Sequence, residues 1–201
     1  MAQRTTTLDP LGGFSRRDFL RGSGAAAAAT AIAQQSTAAL AQEKGAKVAS
    51  GPQTITLDVN GKQQQVKVEP RTTLMEALRY QLDLTGCKPV CTDGSSGAAT
   101  VLVDGRPMQA NTMLAMQAVG KKIATVESLS NDAVPKAFVE CDAQQCGFCT
   151  PGFVVGVRAF LNSKPKATEE EIRKGLNGNL CRCGTYANVI QAALKVVKGG
   201  A

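Results

Sequence analysis

The sequence predicts an α+β chain, strand-rich in its first half and helical in its second, and three observations carry that expectation. Two runs that begin at Thr54 and Gln65 alternate apolar and polar residues in the two-residue period of a strand, across an Asn-Gly turn. From Asp132 onward, four apolar patterns recur at helical spacing. Between those patterns lie two short cysteine loops, Cys146-Gly147-Phe148-Cys149 and Cys181-Arg182-Cys183, so helix ends are expected to meet there.

At the start of the chain, Ser15-Arg16-Arg17-Asp18-Phe19-Leu20 precedes a small, weakly apolar run from Gly22 to Ala33, the pattern of a twin-arginine export signal. Ala39-Leu40-Ala41 supplies a small-x-small cleavage site, so residues 1–41 are expected to be removed and the mature chain to begin at Gln42. The apolar run is too short and too rich in alanine to span a bilayer, so no transmembrane segment is expected and the mature chain belongs in the periplasm. That export route carries folded proteins, which suits a chain loaded with a cofactor beforehand. Residues 42–52 are small and polar with a single proline and read as a flexible lead-in.

Residues 53–127 are expected to form the first domain. Thr54-Ile55-Thr56-Leu57-Asp58-Val59 and Gln65-Val66-Lys67-Val68 flank Asn60-Gly61, the residues of a two-residue hairpin turn. Thr72 is placed to cap a helix with Leu74, Ala77, Leu78 and Leu82 on one face, and Glu76 falls in the first turn, where the helix dipole favours an acid. Residues 100–108 read as strand, turn and strand around Asp104-Gly105. Residues 111–119 are expected as a short helix with Met113, Leu114 and Ala118 inward, and residues 122–126 as a returning strand.

Residues 128–201 are expected to form a four-helix bundle. Asp132 opens the first helix, with Pro135 early in it, where a missing N–H does least harm, and with Val134, Phe138 and Cys141 on one face. Residues 153–161 follow Pro151 as a strongly apolar helix. Thr168-Glu169-Glu170-Glu171 is a capping box for a short helix that ends near Gly175, and residues 187–197 supply Val189, Ile190, Ala193, Leu194 and Val197 to the last. Cys146, Cys149, Cys181 and Cys183 can converge on one soft metal centre. Zinc and a binuclear iron cluster both accept four sulfurs, and the spacing does not choose between them. Cys141 lies outside both spacings and reads as a packed thiol.

Composition narrows the chemistry further. The 201 residues are 43% apolar, ordinary for a globular chain. Of the formal charge of +7, four Arg against two acids fall within the first 41 residues, which leaves +5 for the rest. The lysines are scattered without interleaved aromatics, so no nucleic-acid surface is expected. With no histidine, this chain has no His-ligated zinc, no Rieske-type centre and no His-based triad.

The run Gln145-Cys146-Gly147-Phe148-Cys149-Thr150-Pro151-Gly152, then a helical pattern, then Gly178-Asn179-Leu180-Cys181-Arg182-Cys183-Gly184-Thr185-Tyr186, resembles the iron–sulfur subunits of molybdenum hydroxylases, the xanthine dehydrogenase and aldehyde oxidoreductase family. The resemblance runs from about Gln53 onward. It implies a plant-type ferredoxin β-grasp in the first domain and one [2Fe-2S] cluster held by Cys146, Cys149, Cys181 and Cys183. It also implies that Gln145 approaches the pterin of molybdopterin on a large partner subunit, which holds the substrate site. The implied function is electron transfer within a molybdopterin-dependent aldehyde or N-heterocycle oxidoreductase, with no catalytic residue on this chain. The contrasting reading is a redox-inactive structural subunit, zinc-bound or apo.

Family members hold a further cluster in the first domain on four cysteines. Here Cys91 alone stands at such a position, with Ser96, Ala99 and Asn111 at the other three. One thiolate does not hold a cluster, so this domain is expected to keep its fold without the metal. Cys87 and Cys91 are then open to forming a disulfide or remaining thiols, and a third alternative joins them with oxygens of Asp93 or Ser96 in a second centre. Without the first-domain cluster, electrons must leave by another route. A c-type cytochrome is the expected acceptor, with a flavin subunit as the alternative.

Overall fold

Asn60 and Gly61 both take positive φ (53° and 76°), as a two-residue hairpin turn requires, and they join the first two strands. The computed structural model describes residues 50–199, so the export signal and most of the lead-in lie outside the described residues. Strand β1 (Gln53–Val59) pairs antiparallel with β2 (Lys62–Val68), Val59 opposite Lys62. Strands β3 (Thr100–Val103) and β4 (Arg106–Gln109) form a second antiparallel pair, and β5 (Lys122–Ala124) runs antiparallel to β3 and parallel to β1. The sheet order is β2-β1-β5-β3-β4.

Helix α1 (Leu74–Tyr80) is only seven residues long and too short to persist alone. Its Leu74, Ala77 and Leu78 are fully buried against Leu57, Val68 and Ile123 of the sheet. Full burial of a leucine is worth about 1.5–3 kcal/mol, which exceeds what helix propensity supplies. The cap differs from the sequence expectation. Thr73, not Thr72, accepts from the Glu76 N–H, while Glu76 reaches back to the Thr73 N–H at 2.7 Å. The Thr72 hydroxyl turns outward to accept from Glu69 N–H at 3.1 Å. Leu82 lies beyond the helix end and is half-buried.

The helix expected over 111–119 shrinks to a single 3-10 turn, Ala115–Ala118. The Leu74 N–H donates to the Met113 carbonyl at 2.7 Å and the Ala115 N–H to the Thr72 carbonyl at 2.9 Å. These contacts draw residues 113–115 into extended pairing with the approach to α1. The returning strand likewise stops at Ala124, and a second 3-10 turn, Val126–Leu129, follows.

Four helices follow among the described residues: α2 (Ala133–Glu140), α3 (Thr150–Ser163), α4 (Glu169–Gly175) and α5 (Tyr186–Gly199). They share an apolar cluster that includes Val134, Phe138, Phe153, Val157, Ile172 and Val189, with Cys141 packed at its edge. Asp132 caps α2 by accepting from the Val134 N–H at 2.8 Å and also receives the Arg158 guanidinium of α3. The Thr168–Glu171 capping box starts α4 as expected. Val155 and Ala159 on the opposite face of α3 pack with Leu102 of β3, so α3 is apolar around most of its circumference because it is covered from both sides. Among the described residues, five helices and a five-stranded sheet make a mixed α+β architecture. Among the described residues, no helix is long and apolar enough to cross a membrane.

Candidate metal centre

The Cys146–Cys149 loop joins α2 to α3, and Cys149 itself caps α3, with Pro151 in the first turn where no N–H is needed. The Cys181–Cys183 loop lies between α4 and α5. Gly147 and Gly184 sit at positive φ (79° and 83°), which curls each loop and turns its amides toward sulfur. The four thiols act on one another across the two loops: Cys146 on Cys183 and Cys149, and Cys181 on all three of the others. Cys181 is buried, Cys149 half-buried, and Cys146 and Cys183 exposed.

Donors converge on these sulfurs. The Phe148 N–H points at Cys146 and lowers its thiol below the ordinary value. Burial works to raise Cys181, but the Thr185 hydroxyl, 3.2 Å from its sulfur, and the Thr185 and Gly184 amides outweigh it and bring it to about 7. Burial pushes Cys149 up to about 12, reinforced by the neighbouring Cys181. The Cys181 N–H donates to the Tyr186 hydroxyl at 2.8 Å, and the Tyr186 ring meets Phe153 edge-on with centroids 6.0 Å apart.

Among the described residues, no group of three or more His, Cys, Asp or Glu side chains is arranged as around a bound metal ion. One tetrahedral ion draws all four sulfurs to about 2.3 Å from one point, whereas a binuclear cluster asks for two sulfurs at each end. Four sulfurs within reach of one another, with amide donors around them, suit a thiolate-held centre. Cys146, Cys149 and Cys181 line a cavity of about 400 Å³ whose walls include Val90, Phe148, Leu180 and Tyr186. Those four apolar side chains are 40% to 53% exposed, and Lys88 stands over the Phe148 ring at 5.9 Å. Gln145 is exposed beside the first loop, and Arg182 is exposed without an ion pair among the described residues.

In the first half, the four positions compared with the ferredoxin ligand set come together without a second thiol among them. The Cys91 sulfur lies 2.9 Å from the Ser96 hydroxyl and receives the Ser96 N–H at 3.4 Å. Asn111 donates to the Cys91 carbonyl at 2.7 Å, and Ala99 is buried with its carbonyl accepting from the Ala110 N–H at 2.9 Å. Cys87 and Cys91 are both free thiols. Cys87 faces the sheet core, donates to the Ala99 carbonyl at 3.6 Å, and is pushed up to about 12 by burial. Sequence reading found all four clustered cysteines but missed Thr185 and Tyr186, although a hydroxyl directly after Cys183-Gly184 is a usable signal.

The [2Fe-2S] binding domain family matches residues 125–194, and the twin-arginine translocation pathway signal sequence matches residues 13–33. The aldehyde oxidoreductase iron–sulfur-binding subunit of Escherichia coli (strain K12) is 39% identical over 197 residues, 89% of this chain and 86% of that protein. The nicotine 6-hydroxylase small subunit of Paenarthrobacter nicotinovorans is 42% identical over 143 residues, 70% of this chain and 87% of that one. Among solved structures, a chain of quinoline 2-oxidoreductase from Pseudomonas putida 86 superposes with a TM-score of 0.70 at 39% identity, covering 75% of this chain and 99% of the other. The aldehyde oxidoreductase from Desulfovibrio desulfuricans superposes at 0.68 with 34% identity, over 72% of this chain and 17% of that larger one.

Proposed function

From the premise that this chain belongs to the iron–sulfur subunits of the molybdenum hydroxylases, we propose that Cys146, Cys149, Cys181 and Cys183 hold one [2Fe-2S] cluster serving a periplasmic molybdopterin-dependent oxidoreductase. The substrate class is an aldehyde or an N-heterocycle, as in the names of the relatives. The observation that carries this reading is the convergence of four thiols from two loops, ringed by amide and hydroxyl donors. The four sulfurs would hold the cluster's two irons between the loops. A cluster so held supplies one-electron transfer. The chain's own residues bind it, exclude water around Cys181, and direct N–H dipoles at sulfur, which favours the more negative reduced state.

In domain terms, residues 1–41 are the export signal, 42–52 a lead-in, 53–127 a β-grasp ferredoxin-like domain without a cluster, and 128–201 a four-helix cluster-binding bundle. The exposed apolar residues Val90, Phe148, Leu180 and Tyr186 suit a protein interface, and docking there would turn Gln145 toward the pterin on the large subunit. The lack of a second donor set near Cys91 supports a different acceptor, which we take to be a c-type cytochrome. A native complex that copurifies with flavin and no haem overturns that acceptor.

Anaerobically isolated complex, reduced with dithionite, should give a single [2Fe-2S] paramagnetic resonance signal and about two irons per chain. A colourless chain that contains zinc would instead make it a structural subunit. About four irons per chain would place metal in the first half as well.

A further inference from the structure

The two cysteine loops are separated by a piece of the first half. The Ser96 carbonyl accepts the Leu180 N–H at 2.9 Å, and the Gly97 carbonyl accepts the Asn179 side-chain amide at 2.9 Å. Asn179 and Leu180 run directly into Cys181. On its other side, the Gly97 carbonyl lies against Gly152, three residues after Cys149, where a Cβ would overlap it. A Cβ on Gly97 itself would overlap the Gly178 carbonyl and the Asn179 side chain. The turn therefore fills the gap between the loops with no room for one methyl group on either side.

The same turn is fastened from behind. Ser96 is tied to Cys91 through its hydroxyl at 2.9 Å and its N–H at 3.4 Å, and Asn111, 6% exposed, ties the Cys91 carbonyl to the sheet end at 2.7 Å. The Thr100 hydroxyl donates to the Gly97 carbonyl at 2.6 Å and takes a hydrogen bond from Gln109 of β4 at 2.9 Å. Hydrogen bonds thus fix the loop from Cys91 to Gly97 at both ends.

We propose that the Ser96–Gly97 turn is a spacer that sets the separation of the two cysteine loops, so that the first half positions the metal centre held by the second. The proposal rests on the cluster assignment above. Buried Cys181 and half-buried Cys149 share a cavity wall with Ser96, whereas Cys146 and Cys183 are exposed. Disturbing the spacer must therefore alter the environment of the cluster beside it. Asn111, Ser96 and Gly97 are positioning residues, since none of them carries a thiol.

The test uses full-length chain in its native complex, prepared anaerobically as wild type, Gly97→Ala and Asn111→Ala. Gly97→Ala drives a methyl into the Gly178–Asn179 segment, while Asn111→Ala only loosens the fastening and touches neither cysteine loop. Circular dichroism melting reports folding. Paramagnetic resonance g values of the reduced cluster and the rate of iron capture by a chelator report the site. Both variants should fold, shift the g values and release iron faster, roughly tenfold for Gly97→Ala and several-fold for Asn111→Ala, as supporting-shell changes at metal sites do. If Gly97→Ala does not fold, Asn111→Ala decides. Folded variants with wild-type g values and wild-type iron release overturn the spacer alone. A wild type without any [2Fe-2S] signal overturns the cluster assignment, and the spacer with it.

Discussion

Thr185→Val should make the cluster harder to reduce. In the thiol form, either partner of the Thr185–Cys181 contact at 3.2 Å can donate. An iron-bound thiolate has no proton, so the hydroxyl must be the donor there. A hydrogen bond to a charged acceptor is worth about 1.5–3 kcal/mol, and one added electron spread over the cluster strengthens it by only a fraction, about 1 kcal/mol. At 59 mV per tenfold for one electron, that is a fall of roughly 40 mV in midpoint potential. Valine matches threonine in shape and leaves the Thr185 and Gly184 amides in place, so packing and the remaining donors are held constant. A potentiometric titration followed by paramagnetic resonance measures the shift, and Thr185→Ser, which keeps the hydroxyl, should return the wild-type value. A valine variant within about 10 mV of wild type, or a serine variant that behaves like valine, would refute the assignment of this hydroxyl as a tuning donor.

Three further outcomes follow from the geometry. Ser96→Cys, Ala99→Cys and Asn111→Cys, combined in one chain, should raise iron from about two to about four per chain and add a second resonance signal; iron that stays at two would show that the loop no longer has a ligand geometry. Under native conditions an alkylating reagent should modify Cys91 well before Cys87. Burial pushes Cys87 up to about 12, whereas in Cys91 the Ser96 donors outweigh burial and lower the thiol. Recovery of a Cys87–Cys91 disulfide from the periplasm would overturn this. Asp132→Ala removes both the α2 cap and the partner of Arg158, whose side chain is 12% exposed, and should cost about 2–4 kcal/mol in denaturant unfolding. A loss under about 0.5 kcal/mol would mean that water replaces the carboxylate freely.

Local chemistry made much of this fold legible. Asn60-Gly61 announces its hairpin because few other pairs accept positive φ twice, and Thr168 with Glu171 announces the start of α4. The same rule, applied strictly, selects Thr73 over Thr72, since Glu76 is three residues from the former. Residues 111–119 misled because their apolar spacing is helical while hydrogen bonds to residues 72–74 hold them extended. At the candidate metal centre, the cysteine spacing singled out four thiols that the structure brings near one another, but not which of them face each other across the loops. That pairing depends on how two loops approach one another, and the approach is set by Gly97 acting on Asn179, 82 residues away in the chain.

The tight fit around the Gly97 carbonyl also constrains heredity. Gly97, Gly152 and Asn179 cannot drift independently, because a side chain gained at either glycine displaces a neighbour that has no slack. Natural variation at these places must come in compensating sets. A chimera that borrows its first half from a relative will keep its iron only if it inherits the matching contour.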